Sequence, residues 1–185
     1  MKKLSLFLLV TLFVLPAIAQ KEHLKFMGIP LNGTITQFQN KLAAKGIKVD
    51  SKLNKNLQAG CRAFTGIFSG EKAQIFVYYN NTTKVVYRAK AVIEYSNGQR
   101  GEDKLSEYKS LLITKYPTGL GTDSEQDGHP SYSLILRDED FNRLGLIGLY
   151  ITNSGYSFIE TVGLHIDYED YLNVLANESK KMDDL

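Results

Sequence analysis

The chain has one cysteine, no tryptophan, four prolines and three histidines in 185 residues. A single cysteine excludes an intrachain disulfide, so an exported fold would be held by packing alone. Three histidines, none spaced i, i+4 on a helical stretch, argue against a zinc site. No Gly-x-Ser-x-Gly elbow, Walker loop or dinucleotide fingerprint occurs. The usual signatures of hydrolase, nucleotide and dinucleotide chemistry are therefore missing, and no cofactor is expected. Long apolar runs are also missing, with one exception.

That exception opens the chain. Lys2 and Lys3 precede an apolar run from Leu4 to Val14, broken only by Ser5 and Thr11; Pro16 ends it and Ala17-Ile18-Ala19 follows. A positive start, a short apolar stretch and a small-x-small site predict a secretory signal peptide over residues 1–19. The run is too short to span a bilayer comfortably. The mature chain is expected to start at Gln20, which can cyclise to pyroglutamate and lose its charge. No cysteine occupies that first position, so no lipid anchor and no stable membrane insertion are expected. The protein should be exported, to the periplasm or outside the cell.

Charge changes with that cleavage. The whole chain carries 22 basic and 20 acidic residues, but Lys2 and Lys3 lie in the leader, leaving 20 of each. A balanced chain offers no compositional support for binding nucleic acid.

Residues 20–185 suit one α+β domain. Asn32-Gly33 marks a turn, and Thr34 with Gln37 forms a capping-box pattern before Ile35, Phe38 and Leu42, predicting a helix over 35–45 closed by Gly46. Leu57, Ala59, Cys61, Ala63 and Ile67 alternate as one face of a strand, with Gln58, Arg62 and Phe64 on the other. Ala73 to Tyr79 reads as a second strand. From Lys84 to Tyr95 the alternation is cleanest: Val85, Tyr87, Ala89, Ala91, Ile93 and Tyr95 on one side, and Lys84, Val86, Arg88, Lys90, Val92 and Glu94 on the other.

Leu105, Tyr108, Leu112 and Tyr116 predict a helix over 102–116 that Pro117 stops. Thr118 to Pro130 reads as a long irregular stretch. Strands follow at Tyr132–Arg137, Leu144–Thr152 and Tyr156–Ile166, then a C-terminal helix over 167–177. The expected fold is an antiparallel sheet of about six strands with helices on one face. Two halves, 30–98 and 101–166, each a helix plus three strands, suggest an internal duplication by element order alone.

Gly28-Ile29-Pro30-Leu31-Asn32-Gly33-Thr34, with Phe38 and Leu42 following, resembles the opening of small bacterial envelope domains. These are the beta-lactamase-inhibitor-protein-like domains and the small outer-membrane assembly lipoproteins; domains of unknown function in gut Bacteroidetes look similar. In those families a glycine-and-threonine turn leads into a helix packed on an antiparallel sheet. The resemblance implies protein binding without catalysis. This chain departs from it in lacking the lipobox cysteine and the inhibitors' disulfides, so no binding residues are carried over.

Candidate sites follow from local chemistry. Arg62, Arg88, Lys90 and Glu94 are expected on the uncovered sheet face, where an envelope or extracellular protein could dock. Asp123, Glu125 and Asp127, with Gly128 next, echo the first half of a calcium loop. The twelfth position is Leu134, so the bidentate glutamate is absent.

Cys61 among Ala59 and Ala63 reads as a buried, inert thiol more than as the nucleophile of a Cys–His pair. His165 with Asp167 in period-two register could be an oriented base, though two such residues at a strand end are more often a surface hydrogen bond or a helix cap. Glu160, Asp167, Glu169 and Asp170 could supply a carboxylate pair. Tyr78, Tyr79 and Tyr156 near turns could form an aromatic surface for protein or sugar. Three readings stay open: a non-catalytic protein-binding module, a small-ligand or glycan-binding protein, and a small hydrolase.

Overall fold

The computed structural model describes residues 22–153 and 161–183. The expected leader, Gln20, Tyr156 and Glu160 lie outside the described residues. Among the described residues no helix is long and apolar enough to cross a membrane.

The fold is α+β, built on a large antiparallel sheet. A two-stranded hairpin, β1 (Lys25–Phe26) and β2 (Ile29–Pro30), precedes α1 (Ile35–Ala44), β3 (Lys48–Val49) and α2 (Ser51–Asn54). Then come β4 (Cys61–Phe68), β5 (Glu71–Tyr79), β6 (Val86–Tyr95) and α3 (Gly98–Lys115). The chain continues through β7 (Leu120–Gln126), β8 (His129–Arg137), β9 (Arg143–Asn153), β10 (Val162–Asp170) and α4 (Tyr171–Asp183). Eight strands form one sheet in the order β3-β4-β5-β6-β10-β9-β8-β7. Each half runs from a sheet edge inward to a central strand, and β6 and β10 meet in the middle.

The expected count of six strands is corrected to eight in this sheet. One of the two missed strands, β3, is only two residues long. The other, β7, is polar and exposed along its whole length, so no apolar alternation announced it. Its signal lay in Asp127-Gly128. Both residues have positive φ, 55° and 79°, and form the two-residue loop that turns β7 into β8. Asp-Gly is a favoured pair for such a turn, because both positions need left-handed backbone.

The helix starts follow local chemistry. The Thr34 hydroxyl accepts from Gln37 N while the Gln37 side chain accepts from Thr34 N at 2.9 Å, completing the capping box. Asn97, read as part of a turn, is the N-cap of α3, so that helix begins four residues earlier than its periodicity implied. Gly98 and Gly101 are buried in its first turns. A Cβ on Gly101 would stand 2.8 Å from a Val162 methyl, so glycine lets α3 approach the sheet. The last helix begins at Tyr171 rather than at 167, because alternation persists through β10: Ile166 and Tyr168 point into the core while His165 and Asp167 point away.

One continuous core lies on the side of the sheet covered by α1, α3 and the β1–β2 hairpin. Ile35, Phe38 and Leu42 of α1 and Leu105, Tyr108 and Leu112 of α3 pack onto Ile75, Val77, Ile93, Ile151 and Leu164 of the sheet. Phe26 of the hairpin stacks on Phe68 and meets Tyr168 edge-on, each with centroids 5.4 Å apart. Asp170, fully buried, anchors this N-terminal segment: its carboxylate accepts from Leu24 N at 2.9 Å and lies 3.1 Å from His23 Nδ1. It also caps α4 through Asn173 N at 3.0 Å.

Two expected side assignments are corrected. On β4, Phe64 and Phe68 turn inward, so Arg62 shares their side and bonds Gln39 of α1 at 2.7 Å. Ala59, Cys61 and Ala63 are the expected apolar face, but the larger phenylalanines gain more from burial. On β6, Tyr78 pairs with Arg88 while the next residue, Tyr79, pairs with Val86. That β-bulge reverses the phase: Val86 is fully buried and Tyr87 is half-exposed.

Candidate functional site

The other side of the sheet carries no α1 or α3, and its side chains are mostly half-buried. The strand register places Arg88 and Lys90 of β6 beside Glu169 and Asp167 of β10, and His165 and Asp167 beside Tyr150 and Gly148 of β9. The result is a polar and aromatic network at the middle of the sheet.

Asp167 is its centre. The Arg88 guanidinium donates to both carboxylate oxygens, through Nε at 2.8 and 3.1 Å and also through Nη2. Tyr150 Oη adds a long contact at 3.4 Å. Arg88 also lies over the Tyr78 ring, 5.0 Å from its centroid. The hydrogen bonds to Asp167 hold the guanidinium charged and raise its pKa further. Burial, and then the Asp167 charge, push the Tyr150 phenol up to about 12.

His165 lies flat on Tyr150, with centroids 4.5 Å apart and an interplanar angle of 8°. Its Nε2 is 2.8 Å from Thr152 Oγ1. Its Nδ1 is buried without a partner among the described residues. Burial first, then the Lys90 charge, depress its pKa to about 4, so the imidazole is neutral at physiological pH. Asp167 opposes that shift, yet its hydrogen bonds go to Arg88 and Tyr150 rather than to His165. The oriented His–Asp base offered as one reading of the sequence is therefore not formed.

The remaining candidates are placed as follows. Arg88, Lys90 and Glu94 share the uncovered face; Arg62 does not. Cys61 also faces this side and is half-exposed, not buried as expected. Burial raises its thiol pKa, against the pull of Lys90 and Arg88. Cys61 sits three strands from His165 across the sheet order, roughly 14 Å at the usual strand spacing, too far for a nucleophile–base pair. His23 is committed to Asp170, and His129 lies 3.0 Å from Glu102 and 3.2 Å from Asn153.

The acidic stretch does not wrap as a calcium loop. Asp123 and Glu125 lie on the extended strand β7, Asp127 lies in the turn, and Asp123 is held by Lys109 at 2.6 Å. Among the described residues no three His, Cys, Asp or Glu side chains converge as a metal site.

Sequence reasoning missed Tyr150, Thr152 and Tyr87 as parts of this face. It also missed a cleft of about 880 Å³, where α4 supplies Val174, Asn177 and Glu178 opposite Cys61, Tyr78 and Tyr87. Asn173 holds α4 there by donating to Val86 O at 3.0 Å and to Leu31 O.

The chain gave no match to any protein-family model, to any curated protein or to any solved structure.

Proposed function

We propose that the chain is an exported, non-catalytic binding module that docks an envelope or extracellular protein on its uncovered sheet face. One observation carries this reading: the face holds an ordered set of Arg88, Asp167, Tyr150, His165 and Tyr78 in its centre. Arginine and tyrosine are the side chains that anchor protein interfaces, and here they are already fixed by ion pairing and stacking, so little ordering entropy remains to be lost on binding. The resemblance of residues 28–42 to envelope binding domains points the same way. The mirrored strand order supports reading the two halves as copies of one helix-plus-sheet unit, with the face lying across their junction.

Affinity capture from envelope extract with residues 20–185 as bait tests the reading. A Glu94→Lys, Tyr150→Ala variant alters the face, and Arg62→Ala alters the helix side as a control. A partner kept by the control and lost by the face variant is the expected result. A partner that both variants retain, or none at all, would remove this assignment.

A second reading has its own observation. The α4 cleft combines the tyrosines Tyr78, Tyr79 and Tyr87 with the amides Gln58 and Asn177. Flat rings and amides suit a neutral glycan. Under that reading a glycan array is positive and Tyr87→Ala abolishes the signal.

A further inference from the structure

Beside the α4 cleft is a smaller pocket of about 310 Å³, lined by Asn56, Leu57, Gln58, Cys61, Phe76, Tyr78 and Lys90. Its size falls at the lower end of small-molecule sites. The chain from 56 to 58 forms one wall. That wall is held in place by Asn54, whose side-chain amide donates to Ala63 O at 2.7 Å and accepts from Ala63 N at 3.0 Å, as a neighbouring strand would.

The walls are mostly apolar, through Leu57, Phe76 and Tyr78, and Lys90 is the one charged side chain in the lining. Among the described residues Lys90 forms no ion pair. Its ammonium rests over the Phe76 ring, 5.7 Å from the centroid. The acid facing it in register is Asp167, and that carboxylate is occupied by Arg88. Lys90 is thus a half-buried cation facing a concave apolar space, with its nearest counter-charge already taken. Such a charge is held at a desolvation cost that an incoming anion would offset. Burial lowers its pKa, which agrees with that placement.

We propose that this pocket binds a small organic acid, its carboxylate paired with Lys90 Nζ and its apolar body lying among Leu57, Phe76 and Tyr78. The inference does not depend on protein docking at the centre of the face, since the pocket has its own walls.

Cys61 makes the test specific, because the chain's single thiol lies in the pocket lining. The full exported chain is labelled with N-ethylmaleimide, a neutral reagent, and adduct formation is followed by intact mass. Labelling is run with phenylacetate, with hexanoate, and with the corresponding neutral amides. By mass action an acid at four times its Kd slows labelling about fivefold. Protection by either acid is expected, with none from its amide, none for the acids in Lys90→Met, and some retained in Lys90→Arg. Rates are compared with and without acid within each variant, which removes any change in intrinsic thiol reactivity. Equal protection by acid and amide would reduce the site to an apolar hollow. Protection that persists in Lys90→Met, or no protection by either acid up to solubility, would overturn the proposal. If Lys90→Met does not fold, the acid-versus-amide contrast in the unaltered protein decides alone.

Discussion

The two sides of the sheet are built from the same strands by opposite rules. The helix side is closed: Ile75, Val77, Ala89, Ala91, Ile147 and Leu164 are fully buried. On the other side, residues one step along the same strands are only half-covered and use charge, aromatic stacking and hydrogen bonds. The covered side gains its stability from removing apolar surface from water. The open side spends some of that gain to hold Asp167 and His165 largely out of water. The open side is therefore ordered by register, ion pairing and stacking rather than by apolar burial.

The sharpest way to break the contrast is on the closed side. Phe26→Ala removes the ring that stacks on Phe68 and meets Tyr168 edge-on, and is expected to cost about 3–5 kcal/mol in a denaturant titration. On the open side the cost comes from charge. Arg88→Ala leaves Asp167, with its side chain only 9% exposed, without its cation. A loss of about 2–3 kcal/mol is expected, tempered by Arg88's partial exposure. The Arg88→Leu, Asp167→Leu pair should recover most of it, because no buried charge is then left alone.

Acid separates the two sides more gently. The unfolded imidazole of His165 titrates near its ordinary 6.5, the folded one near about 4. Between those values the unfolded chain binds more protons, so the stability tied to His165 is full above pH 6.5 and falls as pH drops toward 4. Allowing for solvent screening, the loss is about 1–2 kcal/mol. His165→Gln should flatten that part of the pH–stability curve. If the slope is unchanged in the variant, the burial of His165 is not its cause.

At the exposed edge, Gly128→Ala places a methyl group at φ 79° and should cost about 1 kcal/mol. Calcium should leave Tm unchanged, since β7 holds Asp123 and Glu125 on an extended strand.

Much of the framework is legible in the sequence. The Thr34–Gln37 capping box, the Ile35-Phe38-Leu42 stripe and the alternation from Ala89 to Tyr95 each depend on neighbours within a few residues. Those local rules act before the chain is folded. β7 is not legible because a strand exposed on both sides has no apolar period, and its Asp127-Gly128 turn falls within a polar stretch that reads as irregular. The phase of β6 differs from the expected one only at Val86 and Tyr87, because a single bulged residue, Tyr87, exchanges the two faces there while Ala89 to Tyr95 keep theirs.

The site was less legible. Arg88 and Lys90 were found from their strand, but Arg88 and Asp167 are separated by 79 positions in sequence, and no local pattern links them.

What the sequence by itself determined is the class and the main elements: an α+β chain with capped amphipathic helices and alternating strands, because 3.6- and 2-residue periods are local properties of the backbone. What only the tertiary structure decided is which side of each strand meets the helices and which polar groups meet one another. Phe64 outweighs Cys61 and Ala63 for the covered side of β4 only when the whole core is assembled. Arg88, Asp167 and Tyr150 become one network only when β6, β10 and β9 lie side by side, because long-range strand register, and not any short motif, sets those distances.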